Sequence, residues 1–452
     1  MKKSISFLLA LTCILSASAC TSPAPANSQD TPSAAQSDTQ TAENGDAVEL
    51  MWLAVGTEEE FTKPGNVSYE ILDAFHKSQD KIHVSYEYYP NQNDLFEIIQ
   101  VKIAGGTDEY DVLSVDSPMV SSYAYHNWLL PLDEYFSEEE LADFTDTALE
   151  NASYNGKLYA PALQNSSQVM CYNTALLEQA GVTIPDNDVN NRLTWDEVAD
   201  LAAQTLEKVD PDGSKSITGI AFQQVSRTYQ MNLLPNSMGG AQIGDDGFTV
   251  EGVLNSEPWI NALTWYQNQV NEGICSRGID AMEANDNFYN DKSVFFIATV
   301  GSISTIEKKM DHFDYTCVPA FEGYEDKVGT PCGGWNIGVN VNSSHPAEAA
   351  EFVKYTTLGE GNDIRFELSS HVPARRSLLE SMVEDNTDIP KYLQIAAYEA
   401  NNTAVLRANT PAFSEYCDVV DSLWEDVRNG SDIASSVENA IASIDSATAQ
   451  YK

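Results

Sequence analysis

The chain has 452 residues and is strongly acidic, with 68 Asp and Glu residues against 24 Lys and Arg residues and a formal net charge of −44 at pH 7. A surface of this charge repels nucleic acid and anionic membranes, and it favours neutral ligands over anionic ones unless the binding site itself is basic. The length suits two or three domains, and a hydrophobic content of 42% is enough for a buried core.

Residues 1–19 have the pattern of an export signal: a positive start, an apolar run too short for an ordinary membrane-spanning helix, and small residues before Cys20. The segment resembles a bacterial lipoprotein signal, in which Cys20 would carry the lipid, although Ala17 stands where a leucine is usual. The alternative is an ordinary secretory signal cleaved near Ala19. Both interpretations predict an exported chain, and lipidation would also anchor it to the membrane.

The pattern of a tether follows the signal. Residues 20–46 contain no aromatic and no large apolar side chain, so burial cannot offset the entropy that ordering would cost. We therefore expect a disordered linker that holds a folded body away from a membrane.

From residue 47 onward, strand and helix patterns alternate. The apolar run VELMWLAV predicts a strand covered on both faces, and IHVSYEYY and YDVLSV predict two further strands, with a helical pattern in each interval. This order predicts an α/β layer with a parallel sheet. Further along, LTWDEVADLAAQTLEK predicts a helix with a capping box between Thr194 and Glu197, and SHPAEAAEFVKYTTLGEG predicts another.

The cysteines beyond Cys20 give little sign of a metal or redox site. They are Cys171, Cys275, Cys317, Cys332 and Cys417. An odd number excludes a complete disulfide framework, and the lack of a C-x-x-C pair disfavours a zinc or thioredoxin-like site. A Cys317–Cys332 bridge and buried free thiols are the two alternatives.

Six segments in a fixed order carry a resemblance to one family. They are DVLSVDSPMVSSYAYHNWLLPLDEYF, NGKLYAPALQNSSQVMCYNTALLEQAGV, LTWDEV, FYNDKSVFFIATVGSIS, GGWNIGVNVNSSHPAEAAEFVKYTT and VPARRSLL. Together they resemble the extracellular solute-binding proteins, family 1, of carbohydrate-type ABC importers, which include maltose-binding proteins. Asn127 and Asp291 stand where that family commonly has glycine, and Cys171 stands at one of its tyrosine positions.

The resemblance implies an α/β fold of the periplasmic-binding-protein type, in which three crossing segments join two α/β lobes and the ligand cleft lies between them. The crossings are expected near residues 160–168, 318–321 and 342–345. The expected lobes are 47–163 plus 319–343 for the first and 164–318 plus 344–452 for the second.

A sugar has an apolar ring face and a rim of hydroxyl groups, so its site needs an aromatic wall and a few placed polar side chains. In the stretch TPCGGWNIGVN, glycines permit close approach of the backbone and lead to Trp335, which we predict as the stacking wall beside Gly334. The alternative is ordinary core packing of Trp335.

Polar candidates follow two of the predicted strands, at the ends where open α/β sheets bind ligands. Glu58 and Glu59 come after the first strand and could accept hydrogen bonds from sugar hydroxyls, or they belong to a solvated acidic loop. Asp116 comes after YDVLSV, and the alternative for it is a helix N-cap.

Other candidates depend on the resemblance or on side-chain type. Gln164 and Asn165 fall at the first crossing and would face the cleft in the family, against an alternative role in hinge hydrogen bonds. Tyr229 is a possible second aromatic wall. Arg375 could donate a forked pair of hydrogen bonds to vicinal hydroxyls, or it pairs with one of the many acids.

The resemblance implies a binding protein that performs no chemistry and uses no cofactor, and no residue pattern predicts a metal site. It would capture a neutral sugar or oligosaccharide outside a Gram-positive cell, close on it by a hinge, and deliver it as a lipid-anchored monomer to an ABC permease. One alternative is a surface glycoside hydrolase with paired carboxylates, and another is a sugar sensor of the same fold. The number of acids supports no hydrolase, because among 68 carboxylates some pair will lie close by chance.

Overall fold

The computed structural model describes residues 47–277, 281–369, 371–383 and 389–452. The predicted signal, the lipidated Cys20 and the tether lie outside these residues and stay predictions. Within the described ranges, no helix combines the length and the apolar character that crossing a membrane requires.

Strands and helices alternate along most of the described chain. The strands are β1 Val48–Val55, β2 Ile82–Tyr89, β3 Val112–Asp116, β4 Ser153–Tyr154, β5 Lys157–Leu158, β6 Gln168–Asn173, β7 Thr218–Phe222, β8 Ser293–Thr299, β9 Phe313–Thr316, β10 Thr330–Cys332, β11 Trp335–Val339 and β12 Ala404–Leu406. The helices are α1 Glu58–Thr62, α2 Val67–Ser78, α3 Gln92–Ile98, α4 Met119–Tyr125, α5 Glu138–Leu141, α6 Asp146–Asn151, α7 Thr174–Ala180, α8 Trp195–Val209, α9 Thr228–Met231, α10 Leu233–Asn236, α11 Glu257–Asn271, α12 Ala281–Tyr289, α13 Ile303–Lys309, α14 Pro346–Thr357, α15 Glu360–Leu368, α16 Arg376–Val383, α17 Lys391–Asn402, α18 Phe413–Arg428 and α19 Ile433–Thr448.

The first sheet has the strand order β11-β3-β1-β2. β1 is parallel to both β2 and β3, as the alternating pattern predicted, and β11 returns antiparallel to β3. Leu50, Trp52 and Ala54 of β1 belong to one hydrophobic cluster, while Leu53 belongs to another on the opposite face. Both faces are covered, which is why β1 reads as a nearly continuous apolar run.

The second sheet has the order β7-β8-β6-β9, with β7 parallel to β8 and β6 antiparallel to both of its neighbours. Helix α8 packs on β7 and β8, and it begins at the capping box between Thr194 and Glu197 that the sequence predicted. Two separate sheets, each with its own helices, confirm the predicted α/β class.

The segments that connect the two sheets lie side by side. The predicted first crossing, 160–168, runs from β5 to β6, and within it Asn165 pairs with Val372 and Ser166 pairs with Gly333. After β3, the chain contributes its next strand to the first sheet at β11. Helix α14 then packs on β11 and β1 of the same sheet, whereas we predicted that residues 344–452 belong to the second lobe. The exact boundaries of the lobes stay a prediction.

All five cysteines in the described ranges carry free thiols. The Sγ atom of Cys317 lies 3.3 Å from the carbonyl oxygen of Asp188, and that of Cys332 lies 3.4 Å from the carbonyl oxygen of Ser166. The structure therefore contains no Cys317–Cys332 bridge between these described residues, and the free-thiol alternative holds.

Candidate ligand-binding site

Two adjoining cavities lie where strands of both sheets end. The smaller cavity encloses about 180 Å³ and the larger about 580 Å³, and they share Gln164, Gly301, Trp335 and His371. Their walls come from segments just beyond the carboxyl ends of β1, β2, β3, β7 and β8. That position is where open α/β sheets bind ligands, and together the two cavities are called the cleft below.

Trp335 borders both cavities and is partly exposed. It begins β11 directly opposite Asp116, the last residue of β3, so the two side chains lie on the same face of the sheet. The indole also contacts the ring of Phe96, with 6.4 Å between ring centroids. This placement leaves Trp335 available to a ligand, and its stacking role stays a prediction.

Gly334 also lines the smaller cavity, but its contact is with the protein backbone. Its φ angle is 151°, and a Cβ atom built there would lie 2.2 Å from the carbonyl oxygen of Gln164. Glycine is therefore required at position 334 so that two connecting segments can touch.

Asp116, Tyr229 and an arginine that the sequence analysis did not single out form one group in the smaller cavity. Nη1 of Arg407 lies 3.3 Å from both carboxylate oxygens of Asp116. The Arg407 guanidinium lies over the Tyr229 ring, 5.3 Å from its centroid, which is within cation–π range. The hydroxyls of Tyr229 and Ser166 are 2.6 Å apart, and burial raises the pKa of Tyr229, so its hydroxyl stays protonated at neutral pH.

The structure separates Gln164 from Asn165. Gln164 lines both cavities, and its Oε1 accepts a hydrogen bond of 3.4 Å from Nη1 of Arg365. Asn165 is buried away from the cavity walls, and its backbone N–H donates to the carbonyl of Val372 at 2.7 Å. Asn165 thus makes a hydrogen bond between connecting segments, which is the alternative to a role in ligand binding.

Glu58 and Glu59 do not line either cavity. Both are exposed in the first turn of α1, while Glu60 of the same turn borders the larger cavity. Thr57 is the N-cap, and the Glu60 carboxylate accepts its backbone N–H at 2.7 Å. The loop predicted after β1 is a helix start, so the side chains at 58 and 59 project to solvent.

Arg375 is also absent from the cavity walls. Its Nε donates to a carboxylate oxygen of Asp143 at 2.8 Å, and its Nη1 donates to Asp363 at 2.8 Å. The ion-pair alternative is therefore what the structure contains, and no described contact brings Arg375 to the cleft.

Several residues of the cleft were missed by sequence reasoning. They are Glu60, Gln92, Ser166, Gln224, Arg227, Thr299, Gly301, Lys308, Arg365, His371 and Arg407. Only Glu60 had a readable signal, because Thr57 and Glu60 have the spacing of a capping box. Ser166, Thr299 and Gly301 lie within segments that resemble the family, but nothing in those segments marked them as cleft residues. The others come from distant parts of the chain and match no motif.

Two of the missed residues are partly buried ionisable groups, and each has a buried nitrogen without a hydrogen-bond partner among the described residues: Nε of Arg365 and Nδ1 of His371. Burial lowers the pKa of Arg365 to about 10, and the nearby Glu60 charge opposes this only in part. Burial also lowers the pKa of His371 to about 4, with a further contribution from the positive charge of Arg365. At neutral pH the cleft therefore holds a charged Arg365 beside a neutral His371.

Comparison with known proteins places this geometry in context. The family model described as "Bacterial extracellular solute-binding protein" matches residues 70–391. A Deinococcus radiodurans protein named "Probable ABC transporter-binding protein" is 23% identical over 350 residues, which cover 74% of this chain and 78% of that protein.

Solved structures of substrate-binding proteins share this fold at about 20% sequence identity. An ABC substrate-binding protein of Listeria monocytogenes in complex with cycloalternan superposes with a TM-score of 0.74 at 21% identity, over 89% of this chain and 100% of that one. The GacH receptor of Streptomyces glaucescens, solved unliganded and with acarbose, superposes with a TM-score of 0.71 at 19% identity, over 89% and 98%. These likenesses confirm the predicted two-lobe fold.

Proposed function

This chain belongs to the bacterial extracellular solute-binding proteins, and on that premise we propose that it captures a sugar or oligosaccharide and delivers it unchanged to the permease of an ABC transporter. The two lobes would close on the ligand by a hinge at the connecting segments. Lipidation of Cys20 would hold this monomeric receptor on the outer face of a Gram-positive cell membrane.

The observation that carries this proposal is the composition of the cleft. A partly exposed indole, Trp335, borders both cavities, and the amide side chains of Gln92, Gln164 and Gln224 lie around it. An aromatic face with planar hydrogen-bonding groups at its edge suits a sugar ring and its hydroxyls. The larger cavity, about 580 Å³, also falls within the size range of small-molecule sites, about 300–1,000 Å³.

The structural relatives support the same ligand class. The Listeria protein was solved with cycloalternan and the Streptomyces receptor with acarbose. Within the described residues, the acids that line the cleft are Asp116 and Glu60. Asp116 accepts a hydrogen bond from Arg407, and Glu60 accepts one from the N–H of Thr57 at the start of α1. This engagement favours capture over hydrolysis by paired carboxylates.

A panel of saccharides tests the proposal. Thermal shift identifies ligands, because saturation at 100 times the dissociation constant adds about 2.7 kcal/mol of stability. Calorimetric titration then gives the affinity, and chromatography of the recovered sugar shows whether it is intact. Binding with recovery of unchanged sugar is expected. Failure of every saccharide to bind would refute the proposal, and the appearance of cleavage products would indicate a hydrolase instead.

A further inference from the structure

The charge of the cleft is opposite to that of the whole protein. The chain carries 68 acidic and only 24 basic residues. Among the described residues that line the two cavities, however, the basic side chains are Arg227, Lys308, Arg365 and Arg407, and the acidic ones are Glu60 and Asp116. With His371 neutral, the local balance is 4 − 2 = +2, against −44 for the chain.

The acids of the cleft make their direct contacts elsewhere, although the charge of Glu60 acts on Arg365 at longer range. Asp116 lies against Arg407, and the Glu60 carboxylate accepts hydrogen bonds from the N–H and hydroxyl of Thr57 at 2.7 and 3.2 Å. Within the part of the chain that the structure describes, Arg227, Lys308 and Arg365 have no carboxylate within 4.0 Å. These three cations thus lack a direct ion pair, although Glu60 acts on Arg365 and Asp421 acts on Arg227 at longer range.

Arg365 is the most informative of these cations. It lies on α15, its Nε is buried without a hydrogen-bond partner among the described residues, and its Nη1 makes a single long contact of 3.4 Å with Gln164. Arg365 is only partly buried, but a guanidinium with a buried, unpaired nitrogen and no carboxylate within 4.0 Å is still unfavourable. The chain has many Asp and Glu residues, yet none of those described forms an ion pair with Arg365. We therefore expect the anionic partner of Arg365 to be a group of the ligand.

The surroundings of Arg365 fit that interpretation. The Nδ1 atom of His371 is also buried without a partner within the described chain, and His371 borders both cavities with Gln164. In the smaller cavity, Nε of Arg407 is likewise buried without a partner, and its contacts with Asp116 are long at 3.3 Å. Each cavity therefore presents an arginine with unused donors.

Resting on the proposed function above, we propose that the ligand is an anionic saccharide and that Arg365 binds its negatively charged group, a carboxylate or a sulfate. A guanidinium presents donors in a planar fork that matches the oxygens of such groups. The acidic character of the chain does not oppose this proposal, because the preference for neutral ligands concerns the outer surface, whereas recognition depends on the local charge of the cleft.

Matched pairs of saccharides test this inference. The first pair is oligogalacturonates and their methyl esters, which keep the ring but lose the carboxylate charge. The second is sulfated carrageenan oligosaccharides and their desulfated forms, and neutral malto-oligosaccharides form a third set. Calorimetry is performed on the wild type, on Arg365→Gln, and on Arg376→Gln, a control arginine that pairs with the exposed Asp146 outside the cleft.

One charged member is expected to bind about 10- to 100-fold more tightly than its neutral counterpart, the range for a charged hydrogen bond. Arg365→Gln should remove this preference, while Arg376→Gln should keep it. Arg365→Lys keeps the positive charge but loses the planar pair of guanidinium donors, so it should retain part of the preference for the charged saccharide. It replaces Arg365→Gln in the test if that variant does not fold. Equal or tighter binding of the neutral members overturns the inference and leaves the proposed function standing. Failure of all three sets overturns both.

Discussion

The carbonyl oxygen of Gln164 lies 2.2 Å from the point that a Cβ atom would occupy at Gly334. On either side of this contact the two segments are hydrogen-bonded: Leu163 donates to the carbonyl of Trp335 at 2.8 Å, and Ser166 donates to that of Gly333 at 2.7 Å. The glycine thus lets two connecting segments pair, and this pairing sets Trp335 beside Gln164 in the cleft.

Replacing Gly334 by alanine should therefore destabilise the protein by about 2–4 kcal/mol, because a backbone atom must move and the φ of 151° is strained for any other residue. Gly333→Ala is the matched control, since a Cβ there meets only side-chain atoms at 3.4 Å or more. Urea unfolding of both variants measures the difference. Equal stability of the two would show that the segments can separate at little cost.

A buried ion pair between Arg192 and Glu399 gives an independent stability test. Nη1 and Nη2 of Arg192 contact the two carboxylate oxygens of Glu399 at 2.6 and 3.0 Å, and both side chains are buried. Glu399→Gln leaves the guanidinium charge uncompensated, so we expect a loss of about 3–5 kcal/mol. Lys63 and Glu59 form an exposed pair, so Glu59→Gln should change stability by less than about 1 kcal/mol. Similar losses for both variants would contradict this prediction.

The sequence predicted the fold better than the site, and the reason is physical. Strands such as β1 and helices such as α8 are specified by local periodicity and caps, which can be read from neighbouring residues. The pair Asp116–Arg407 joins residues 291 positions apart, and no local pattern marks such a contact. Arg375 shows the converse. It lies in the family-like segment VPARRSLL, and its guanidinium suggested a ligand contact, but nothing in the sequence distinguished its actual partners, Asp143 and Asp363, from the many other acids.

The position of Trp335 was predictable because the glycines before it signal a close backbone approach. The sequence did not reveal what approaches: it is the Gln164 carbonyl, on the first crossing. The same limit applies to charge, because net charge can be counted from the sequence whereas the placement of Arg365 in the cleft requires the fold.

The partly buried His371, whose Nδ1 is inaccessible, predicts a pH effect on stability. Its pKa is lowered from 6.5 to about 4 in the folded protein, by burial first and by Arg365 second. Between these values the unfolded chain binds a proton that the folded chain does not, so His371 destabilises the fold as the pH falls from 6.5 towards 4. The full contribution is about 3 kcal/mol.

His371→Gln should remove this contribution, so its free energy of unfolding should depend less steeply on pH than that of the wild type. The quantity to compare is the difference in free energy of unfolding between the wild type and the variant at each pH. This difference is needed because His76 and Asp421, with pKa values of about 4 and about 6, also titrate between pH 4 and 6.5. Parallel curves for His371→Gln and wild type would rule out the effect.

Trp335→Ala decides between the stacking wall and core packing. Truncation of an aromatic hot-spot residue typically reduces the binding free energy by about 2 kcal/mol or more. The affinity for the saccharide that the panel identifies should therefore fall by at least about 30-fold. Because Trp335 is only partly buried, the melting temperature of the sugar-free protein should stay within a few degrees of the wild type. The control is Trp195→Ala: this indole is fully buried, and its removal should cost about 3–5 kcal/mol. If Trp335→Ala kept its affinity and lost as much stability as Trp195→Ala, Trp335 would be a core residue and the cleft would need another aromatic wall.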